Sequence, residues 1–523
     1  MPHTDLLKQF NLRTNPFVDR VAEKTKLEGS ALYVHSDLRN FSPSETTYVF
    51  FGKRGSGKTT IRMQMQEEYS LENEHVKSAG KSRGHFMIDL CRPVHLTLCL
   101  RSFQDSIHCT DDNWDAQFGD SWTSADMVDC ILCFAATELV GKLTNPNSQE
   151  GQEMLETIQG SAAASKQMLI LAHLYANTDV TSLAKIRAAL LRPHYGAKEA
   201  AIGASIAAAS GAAAVMAARN PEYAEAAAAP LHKLAAEADH LVPGAGRHPR
   251  VALAVTAAAS MAGIYYYNRY ARRKAMERAV AITGSIRVVK QQPPHIIAGI
   301  LRSLFTPQDR VDTIRGMCIG ISAHQKLDHL QQLVRLLGYE SLCVFGDCFD
   351  EVSLLDPVSY PGAIKAFARE VCRNDLLNFG RLHFFFPDSR LALDLNTDKT
   401  LKEARFDRHF VRDLTWSRHQ LEELAERRFI AAQSSRPGML TSPAGTEIPL
   451  TVDDRLPDGM RFPDLFQKVA QADFASYLNK LSTPRELMIM MTEMMARMEA
   501  NPEKGITAQD MEFSVQRALE QSL

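Results

Sequence analysis

The sequence predicts an α/β protein with a parallel sheet and a long helical insert. Runs rich in β-branched and aromatic residues alternate with helical patterns in the first and last thirds of the chain. Such alternation is typical of a parallel sheet covered by helices on both faces. A glycine-rich segment follows the first of these runs, and an acidic cluster follows a later one. Between the two parts, strand signals disappear and alanine dominates, which predicts the insert.

Length and composition limit the classes of protein that this chain fits. Its 523 residues exceed what one hydrophobic core supports, roughly 250–300 residues, so several folding units are expected. A net charge of −2 excludes a strongly basic nucleic-acid coat and an acidic tail protein. Nine scattered cysteines do not fit a secreted disulfide framework and indicate a reducing compartment.

The strand-bearing parts are expected to contain short buried strands and amphipathic helices. The first part is predicted to contain a strand over 46–51, a helix over 58–69, a strand over 84–90 that 94–100 extends or pairs with, an exposed Asp-rich loop over 104–121 and a helix over 124–143. The second part is predicted to contain a strand over 341–345, a helix near 361–374, a strand over 382–386, a weaker strand over 409–414, a helix over 417–430 with Ser417 as N-cap, and further helices after 462.

The segment Gly52–Thr59, here named the glycine loop, matches the pattern G-x-x-x-x-G-K-[ST] in full. Its glycines let the backbone curl so that N–H groups point at phosphate oxygens, and the following helix adds its positive dipole end. Lys58 is expected to reach the β- and γ-phosphates, and the Thr59 hydroxyl to ligate Mg²⁺. The predicted ligands are ATP and Mg²⁺. The predicted nucleotide-binding residues here are Gly52, Lys53, Arg54, Gly55, Ser56, Gly57, Lys58, Thr59 and Thr60.

A carboxylate that holds Mg²⁺ is expected at the end of a neighbouring strand. The apolar run 342–345 and Gly346 lead directly into Asp347, so this carboxylate is predicted to emerge beside the glycine loop. Asp350 and Glu351 provide further acidic groups that would orient or activate water. A solvated acidic turn after a strand is the simpler alternative.

The glycine loop, the acidic strand end and the segments after it resemble AAA+ ATPases and their STAND and KAP relatives. The spacing Asp-x-x-Asp-Glu at Asp347–Glu351 is similar to the STAND pattern, whereas AAA+ proteins usually carry Glu where this chain has Cys348. The resemblance covers about 1–145 and 336–523. It implies a P-loop NTPase core, ATP hydrolysis and a C-terminal helical lid, with Asp350 or Glu351 as the catalytic base.

Further site residues are assigned through this resemblance alone. Arg405 and Arg408 precede the fifth expected strand and resemble the arginine fingers that contact the γ-phosphate of a neighbouring subunit. Ser389 lies at the position of the polar sensor, and Arg485 resembles the lid arginine that senses nucleotide. A solvated charged turn is the alternative for the two fingers. A plain helix cap is an equally simple interpretation of the Ser-Thr-Pro-Arg-Glu segment around Arg485.

The expected organisation has five segments. They are an N-terminal segment 1–45, the first part of the ATPase core 46–149, an Ala-rich helical insert 150–335, the second part of the core 336–432, and a loop with the C-terminal helical lid 433–523.

Two stretches of the insert, 200–218 and 251–268, contain no charged residue and are each about long enough to span a bilayer. Basic residues flank the pair on its outer sides, and the loop 219–250 is balanced in charge. This pattern predicts a membrane hairpin with the ATPase core facing the cytoplasm, an arrangement that the KAP family resembles. The alternative is a soluble cytoplasmic arm, because alanine buries little apolar area and is the best helix former in water.

Together these patterns predict an ATPase that acts as a conformational switch or assembly factor, with a membrane anchor in the insert. Two alternatives stay open: a soluble AAA+-like ATPase that remodels or loads a protein or nucleic-acid partner, and a nucleotide-dependent scaffold with little turnover. Self-association or a protein partner is expected, and no basic stripe with interleaved aromatics indicates nucleic-acid binding. The C-x-x-C pair Cys130 and Cys133 and the methionines of 488–495 are expected in the core.

Overall fold

The computed structural model describes residues 12, 15–18, 41–80, 82–191, 269–270, 272–290, 292–304, 322–387, 410–432, 471–500 and 506–522. The chain divides into two compact units. The first unit comprises Met1–Met127 and Gly338–Leu523, and the second comprises Val128–Leu337. The second unit begins within the helix that starts at residue 124.

The first unit contains an all-parallel sheet, so the α/β class predicted by the sequence is confirmed. Its strands among the described residues are β1 (Tyr48–Phe51), β2 (His85–Asp89), β3 (Ser341–Gly346), β4 (Leu382–Phe386) and β5 (Phe410–Asp413), in the spatial order β2-β3-β4-β1-β5. β3 and β4 are buried along their whole length, which explains why both appear as continuous apolar runs. β1 pairs with β4 on one side and with β5 on the other.

The strand order reverses next to β1. The chain leaves β1 for β2 at the far edge of the sheet, whereas it leaves β4 in the opposite direction, for β5 beyond β1. In open α/β sheets, ligands bind at the carboxyl ends of the strands where successive connections diverge in this way. The glycine loop follows β1, and the predicted carboxylate Asp347 follows β3, which is separated from β1 by β4 alone.

α-Helices supply most of the remaining regular structure described in both units. Their bounds are α1 (Lys58–Ser78), α2 (Pro93–Ser106), α3 (Trp114–Ser121), α4 (Ser124–Thr144), α5 (Gln149–Gln159), α6 (Ala162–Tyr175), α7 (Val180–Leu191), α8 (Pro294–Leu304), α9 (Ala323–Leu336), α10 (Pro361–Val371), α11 (Asn374–Leu377), α12 (Arg418–Ala431), α13 (Gln471–Leu478), α14 (Pro484–Ala500) and α15 (Ala508–Ser522). Residues 272–285 are also helical.

The expectation that 94–100 extends or pairs with the second strand is wrong, because this segment lies in helix α2. Pro93 occupies the first turn, where its missing N–H and fixed φ favour a helix start. The buried residues Leu96, Leu100 and Phe103 recur at helical spacing. The sequence of 94–100 therefore has the pattern of an amphipathic helix whose β-branched residues lie outside its buried face.

The expectation of an exposed loop over 104–121 is also wrong. The segment holds the end of α2 and helix α3, and α3 buries Trp114 and Phe118 completely. These rings pack with Phe103 and Trp122 at centroid distances of 4.8–6.1 Å. Most aspartates of the segment occupy its solvent side, so a high count of acidic residues concealed an aromatic core.

Helices α12–α15 of the first unit share one apolar core, here named the C-terminal cluster. Its buried members include Leu421, Phe429, Leu478, Leu487, Met488, Met490, Met491, Met494, Met495, Met511 and Val515. The predicted core position of the methionines is thus confirmed. Ser417 caps α12 through a capping box with Gln420, also as predicted. Phe17 of the N-terminal segment is buried in the same cluster.

The described part of the second unit is helical, as expected for the insert, and it encloses a buried polar group. Lys326 Nζ lies 2.6 Å from Asp129 Oδ1, and the Tyr175 hydroxyl donates to the same oxygen at 3.0 Å. Cys130 and Cys133 are buried in α4, which confirms their predicted core position. Within the described ranges, no helix is long and apolar enough to cross a membrane. The stretches 200–218 and 251–268 lie outside those ranges.

Candidate functional site

Lys58 opens helix α1, and its side chain folds back over the glycine loop. Its Nζ donates to the carbonyl oxygens of Gly52 at 2.8 Å and of Lys53 at 3.1 Å. The residue is only 9% exposed, and a buried ammonium group is tolerated when hydrogen bonds compensate for lost water. The loop thus curls around a positive charge, at the point where the strand order reverses.

The backbone of the glycine loop adopts conformations that glycine favours. Gly55 and Gly57 have φ of +82° and +88°, in the left-handed region. At Gly55 a Cβ would also overlap the side chain of Arg485. The N–H of Ser56 donates to the Lys53 carbonyl at 3.1 Å, which closes the turn. The Ser56 hydroxyl is buried and has no hydrogen-bond partner among the described residues.

Asp347 lies where the sequence analysis placed it, against the start of α1. The Thr59 hydroxyl donates to Asp347 Oδ2 at 2.9 Å, and Arg62 Nε donates to the same oxygen at 3.3 Å. Asp347 is 3% exposed, so its carboxylate depends on these partners. The structure therefore brings together the two residues predicted to ligate Mg²⁺, which the chain separates by 288 positions.

Arg62 is a site residue that the sequence analysis missed. It lies one turn after Thr59 on α1, so both side chains reach Asp347 from one face of the helix. Burial would lower the pKa of the Arg62 guanidinium, but Cys91, Asp347 and Asp89 around it raise that pKa instead. Its position three residues after Thr59 in a predicted helix could have indicated that Arg62 lies on the same face as Thr59.

Cys348 adopts a left-handed conformation, with φ of +60°, and starts the short turn Phe349–Glu351. Burial, followed by the charges of Asp347 and Glu351, raises the pKa of the Cys348 thiol to about 12. The thiol is therefore neutral at physiological pH. Asp350 is half-buried and Glu351 is exposed. In the described part of the chain, neither carboxylate forms a hydrogen bond to the glycine loop.

Two residues near the C-terminal cluster contact the glycine loop. The backbone N–H of Arg485 donates to the Gly55 carbonyl at 3.2 Å, and the side-chain Nε of Arg485 is buried without a hydrogen-bond partner among the described residues. The indole Nε1 of Trp416 donates to the Ser56 carbonyl at 2.8 Å. Arg485 was predicted at this site from the sequence, and Trp416 was not.

The segment that carries Arg485 is also a helix cap. The Thr483 hydroxyl accepts from the Glu486 N–H at 3.2 Å, and the Glu486 carboxylate accepts from the Thr483 N–H at 3.1 Å. This reciprocal pair is a capping box at the start of α14, as the simpler interpretation predicted. The cap and the contact with the glycine loop coexist, because the cap fixes the backbone whose N–H reaches Gly55.

Three of the predicted site residues lie outside the described ranges: the two candidate arginine fingers, Arg405 and Arg408, and the candidate sensor Ser389. Thr60, by contrast, lies within those ranges, half-buried in the first turn of α1. Comparison with protein-family models, curated proteins and solved structures gives no match to this chain.

Proposed function

We propose that the glycine loop binds the phosphates of ATP together with Mg²⁺, and that the chain hydrolyses ATP. The observation that carries the proposal is the 2.9 Å hydrogen bond between Thr59 and Asp347, beside a loop that curls around Lys58. A matching motif alone can arise by chance in a glycine-rich turn. The same chemistry independently requires a carboxylate beside the threonine of the motif. Here a buried carboxylate from the end of a distant strand lies against that threonine.

The residues at this point fit a magnesium ion. Mg²⁺ prefers oxygen ligands and usually keeps one or two protein ligands beside water and substrate phosphates. The Thr59 hydroxyl and the Asp347 carboxylate are such a pair, and no group of three or more potential His, Cys, Asp or Glu ligands occurs in the described part of the chain. When bound, Mg²⁺ would supply positive charge to the β- and γ-phosphate oxygens.

The other residues of the site have roles that follow from their positions. Lys58 offers an ammonium group that can exchange its loop carbonyls for phosphate oxygens. Arg62 pairs with Asp347 through Nε at 3.3 Å and fixes the orientation of its carboxylate. Asp350 and Glu351, which lie just beyond Asp347, are proposed to position the attacking water and accept its proton.

The proposed cellular role is based on the layout inferred from the sequence. The ATPase would act as a conformational switch or assembly factor that self-associates or engages a protein partner, and is anchored to a membrane through 200–218 and 251–268. A soluble ATPase that remodels a partner is the alternative. Fractionation of the full chain beside a variant lacking 199–270 separates the two, because only the anchored form needs detergent for extraction and loses that need with the deletion.

The proposed ligand is tested by calorimetric titration of the full chain with ATP, with and without Mg²⁺. Lys58→Ala should weaken ATP binding by at least about 100-fold, because it removes two or more charge-assisted hydrogen bonds of roughly 1.5–3 kcal/mol each. Lys77→Ala is the matched control, since Lys77 is exposed in the last turn of the same helix. Unchanged ATP affinity in folded Lys58→Ala would contradict the assignment of the loop.

Turnover is a separate measurement. Steady-state release of phosphate from Mg-ATP by the wild type distinguishes an ATPase from a nucleotide-dependent scaffold. Tight Mg-ATP binding with no release above the Lys58→Ala background would support the scaffold. The ATP-binding proposal would survive that result, and the hydrolysis proposal would not.

A further inference from the structure

Trp416 connects the C-terminal cluster to the backbone of the glycine loop. Its ring packs against the cluster, and its Nε1 donates to the Ser56 carbonyl at 2.8 Å. The edge of the ring, at Cζ2, would lie 3.6 Å from a Cβ placed on Gly57. The two bonded groups are 360 positions apart in the chain, so this contact exists only in the folded first unit.

The backbone on both sides of Trp416 is fixed. On its N-terminal side, the Leu414 N–H donates to the Phe51 carbonyl at 2.6 Å, which extends the pairing of β5 with β1. On its C-terminal side, Ser417 forms the capping box of α12. A fixed backbone removes part of the entropy that a contact would otherwise cost, and the packing of the Trp416 ring against the C-terminal cluster removes more. Trp416 is therefore a preorganised donor to the loop.

A hydrogen bond to the Ser56 carbonyl determines where the next N–H points. The Ser56–Gly57 peptide is trans and planar, so its C=O and N–H point in opposite directions. Because the C=O is directed at Trp416, the Gly57 N–H is directed away from it. Arg485 restrains the preceding carbonyl, that of Gly55, in a similar way from the start of α14.

Backbone N–H groups of a glycine loop hold an anion only when they converge on it. Such convergence costs more conformational entropy at a glycine, because an unrestrained glycine has more backbone freedom than other residues. At Gly57, with φ of +88°, no Cβ limits rotation of the peptide. An external restraint on the Ser56 carbonyl would remove that freedom before the ligand arrives, and preorganisation of this kind raises affinity.

We propose that Trp416 is a positioning residue for the phosphate site. It orients the Ser56–Gly57 peptide so that the Gly57 N–H faces the bound phosphates, and it thereby links nucleotide affinity to the packing of the C-terminal cluster. The inference rests on the proposed ATP binding and adds a residue that neither the loop motif nor the resemblance assigns.

The test compares three Trp→Phe variants of the full chain by calorimetric titration with Mg-ATP, at a temperature where all are folded. Trp416→Phe keeps an aromatic ring but removes the N–H. Trp114→Phe is the matched control, because the buried Trp114 Nε1 also donates to a backbone carbonyl at 2.8 Å, that of Leu354. Trp122→Phe is a second control, since its buried Nε1 has no hydrogen-bond partner among the described residues.

Trp416→Phe should weaken Mg-ATP binding about five-fold, the effect of one hydrogen bond between neutral groups. Both controls should retain wild-type affinity, whatever happens to their melting temperatures. The midpoint of thermal unfolding without nucleotide provides the readout for a purely structural role. It should fall no further in Trp416→Phe than in Trp114→Phe.

Equal affinity in Trp416→Phe and the wild type would overturn the role of Trp416 and leave the ATP-binding proposal standing. Equal weakening in Trp416→Phe and Trp114→Phe would also overturn it, because the effect would then reflect general stability. No binding of Mg-ATP by the folded wild type would overturn both proposals. The three outcomes are distinguishable in one set of titrations.

Discussion

The Thr59 hydroxyl donates a 2.9 Å hydrogen bond to Asp347, whose carboxylate also accepts from Arg62. Asp347 Oδ2 thus accepts hydrogen bonds both from Thr59, which is predicted to ligate the metal, and from the buried cation Arg62, which was not predicted. Since the guanidinium and the carboxylate are both largely removed from water, each depends on the other. This arrangement allows the structural and metal-binding roles of Asp347 to be measured separately.

Asp347→Asn should lower the free energy of unfolding of the first unit by about 3–5 kcal/mol, because it leaves Arg62 buried without its carboxylate. Denaturant unfolding followed by tryptophan fluorescence measures this, since Trp114, Trp122 and Trp416 all belong to that unit. The double variant Arg62→Gln/Asp347→Asn should recover part of the loss. In both variants Mg²⁺ should no longer increase the affinity for ATP, because the carboxylate predicted to ligate it is absent. Restoration of that effect in the double variant would show that Asp347 is not a metal ligand.

Asp350→Asn and Glu351→Gln should preserve Mg-ATP binding and slow hydrolysis, because both carboxylates are predicted to act on water rather than on phosphate. Loss of the true general base should reduce turnover about 10²–10⁴-fold, and the larger loss identifies it. Phosphate release at saturating Mg-ATP is the measurement. Glu67→Gln, a change of an exposed glutamate on α1, is the matched control. If both variants hydrolyse ATP at the wild-type rate, the water is activated by another group.

The strands of the first unit could be predicted because buried strands differ from their surroundings in local amino-acid composition. β3 and β4 are buried on both faces, so they appear as uninterrupted apolar runs. The motif of the glycine loop and the position of Asp347 directly after β3 were local features as well. Parallel strands with helical connections then suffice to place both at one edge of the sheet.

The parts that could not be predicted depend on contacts between distant residues. Trp114 and Phe118 are four residues apart, a helical spacing, but the rings that bury them include Phe103 of another helix, and the acidic residues around them favoured a loop. Trp416 follows a strand by only a few residues, and its partner is a carbonyl 360 positions earlier. Arg62 is different, since its spacing from Thr59 places both on one face of α1.

Arg405→Ala or Arg408→Ala should reduce turnover about 10³–10⁵-fold if the residue acts as an arginine finger across a subunit boundary. Turnover per chain of the wild type should then rise with protein concentration. Mixing a finger variant with Lys58→Ala should restore part of the activity, because each chain supplies the group that the other lacks. Concentration-independent turnover without rescue in the mixture would instead indicate a monomeric enzyme or an internal finger.

Lys326→Met should destabilise the second unit by about 3–5 kcal/mol, because it removes the cation whose Nζ lies 2.6 Å from the buried Asp129 carboxylate. Hydrogen exchange measured by mass spectrometry on peptides of α4, α6 and α9 should report faster opening. The double variant Lys326→Met/Asp129→Asn should recover most of the protection, since the amide oxygen still accepts from Tyr175. Equal exchange in the double variant and in Lys326→Met would show that the lost lysine packing, rather than the lost ion pair with Asp129, is the cause.

His383 is expected to make the first unit less stable in acid. It lies on β4, fully buried, with Nε2 3.0 Å from the Tyr69 hydroxyl and with Nδ1 lacking a hydrogen-bond partner among the described residues. Burial, followed by the nearby charge of Arg381, lowers the pKa of His383 to about 3. The folded chain therefore keeps the imidazole neutral over a range of pH in which an exposed histidine, of pKa about 6.5, is protonated.

Stability should consequently fall as the pH drops below about 6.5, and this loss should continue towards pH 3, because only the unfolded state binds the proton in that window. His383 alone accounts for about 2 kcal/mol of unfolding free energy between pH 7 and pH 5. His383→Gln keeps a polar group near Tyr69 but cannot titrate, so its loss over that interval should be smaller by about this amount. Denaturant unfolding followed by tryptophan fluorescence at both pH values measures the difference. His75→Gln, which alters an exposed histidine on α1, should follow the wild-type dependence. If His383→Gln loses as much stability as the wild type, His383 takes up its proton without unfolding.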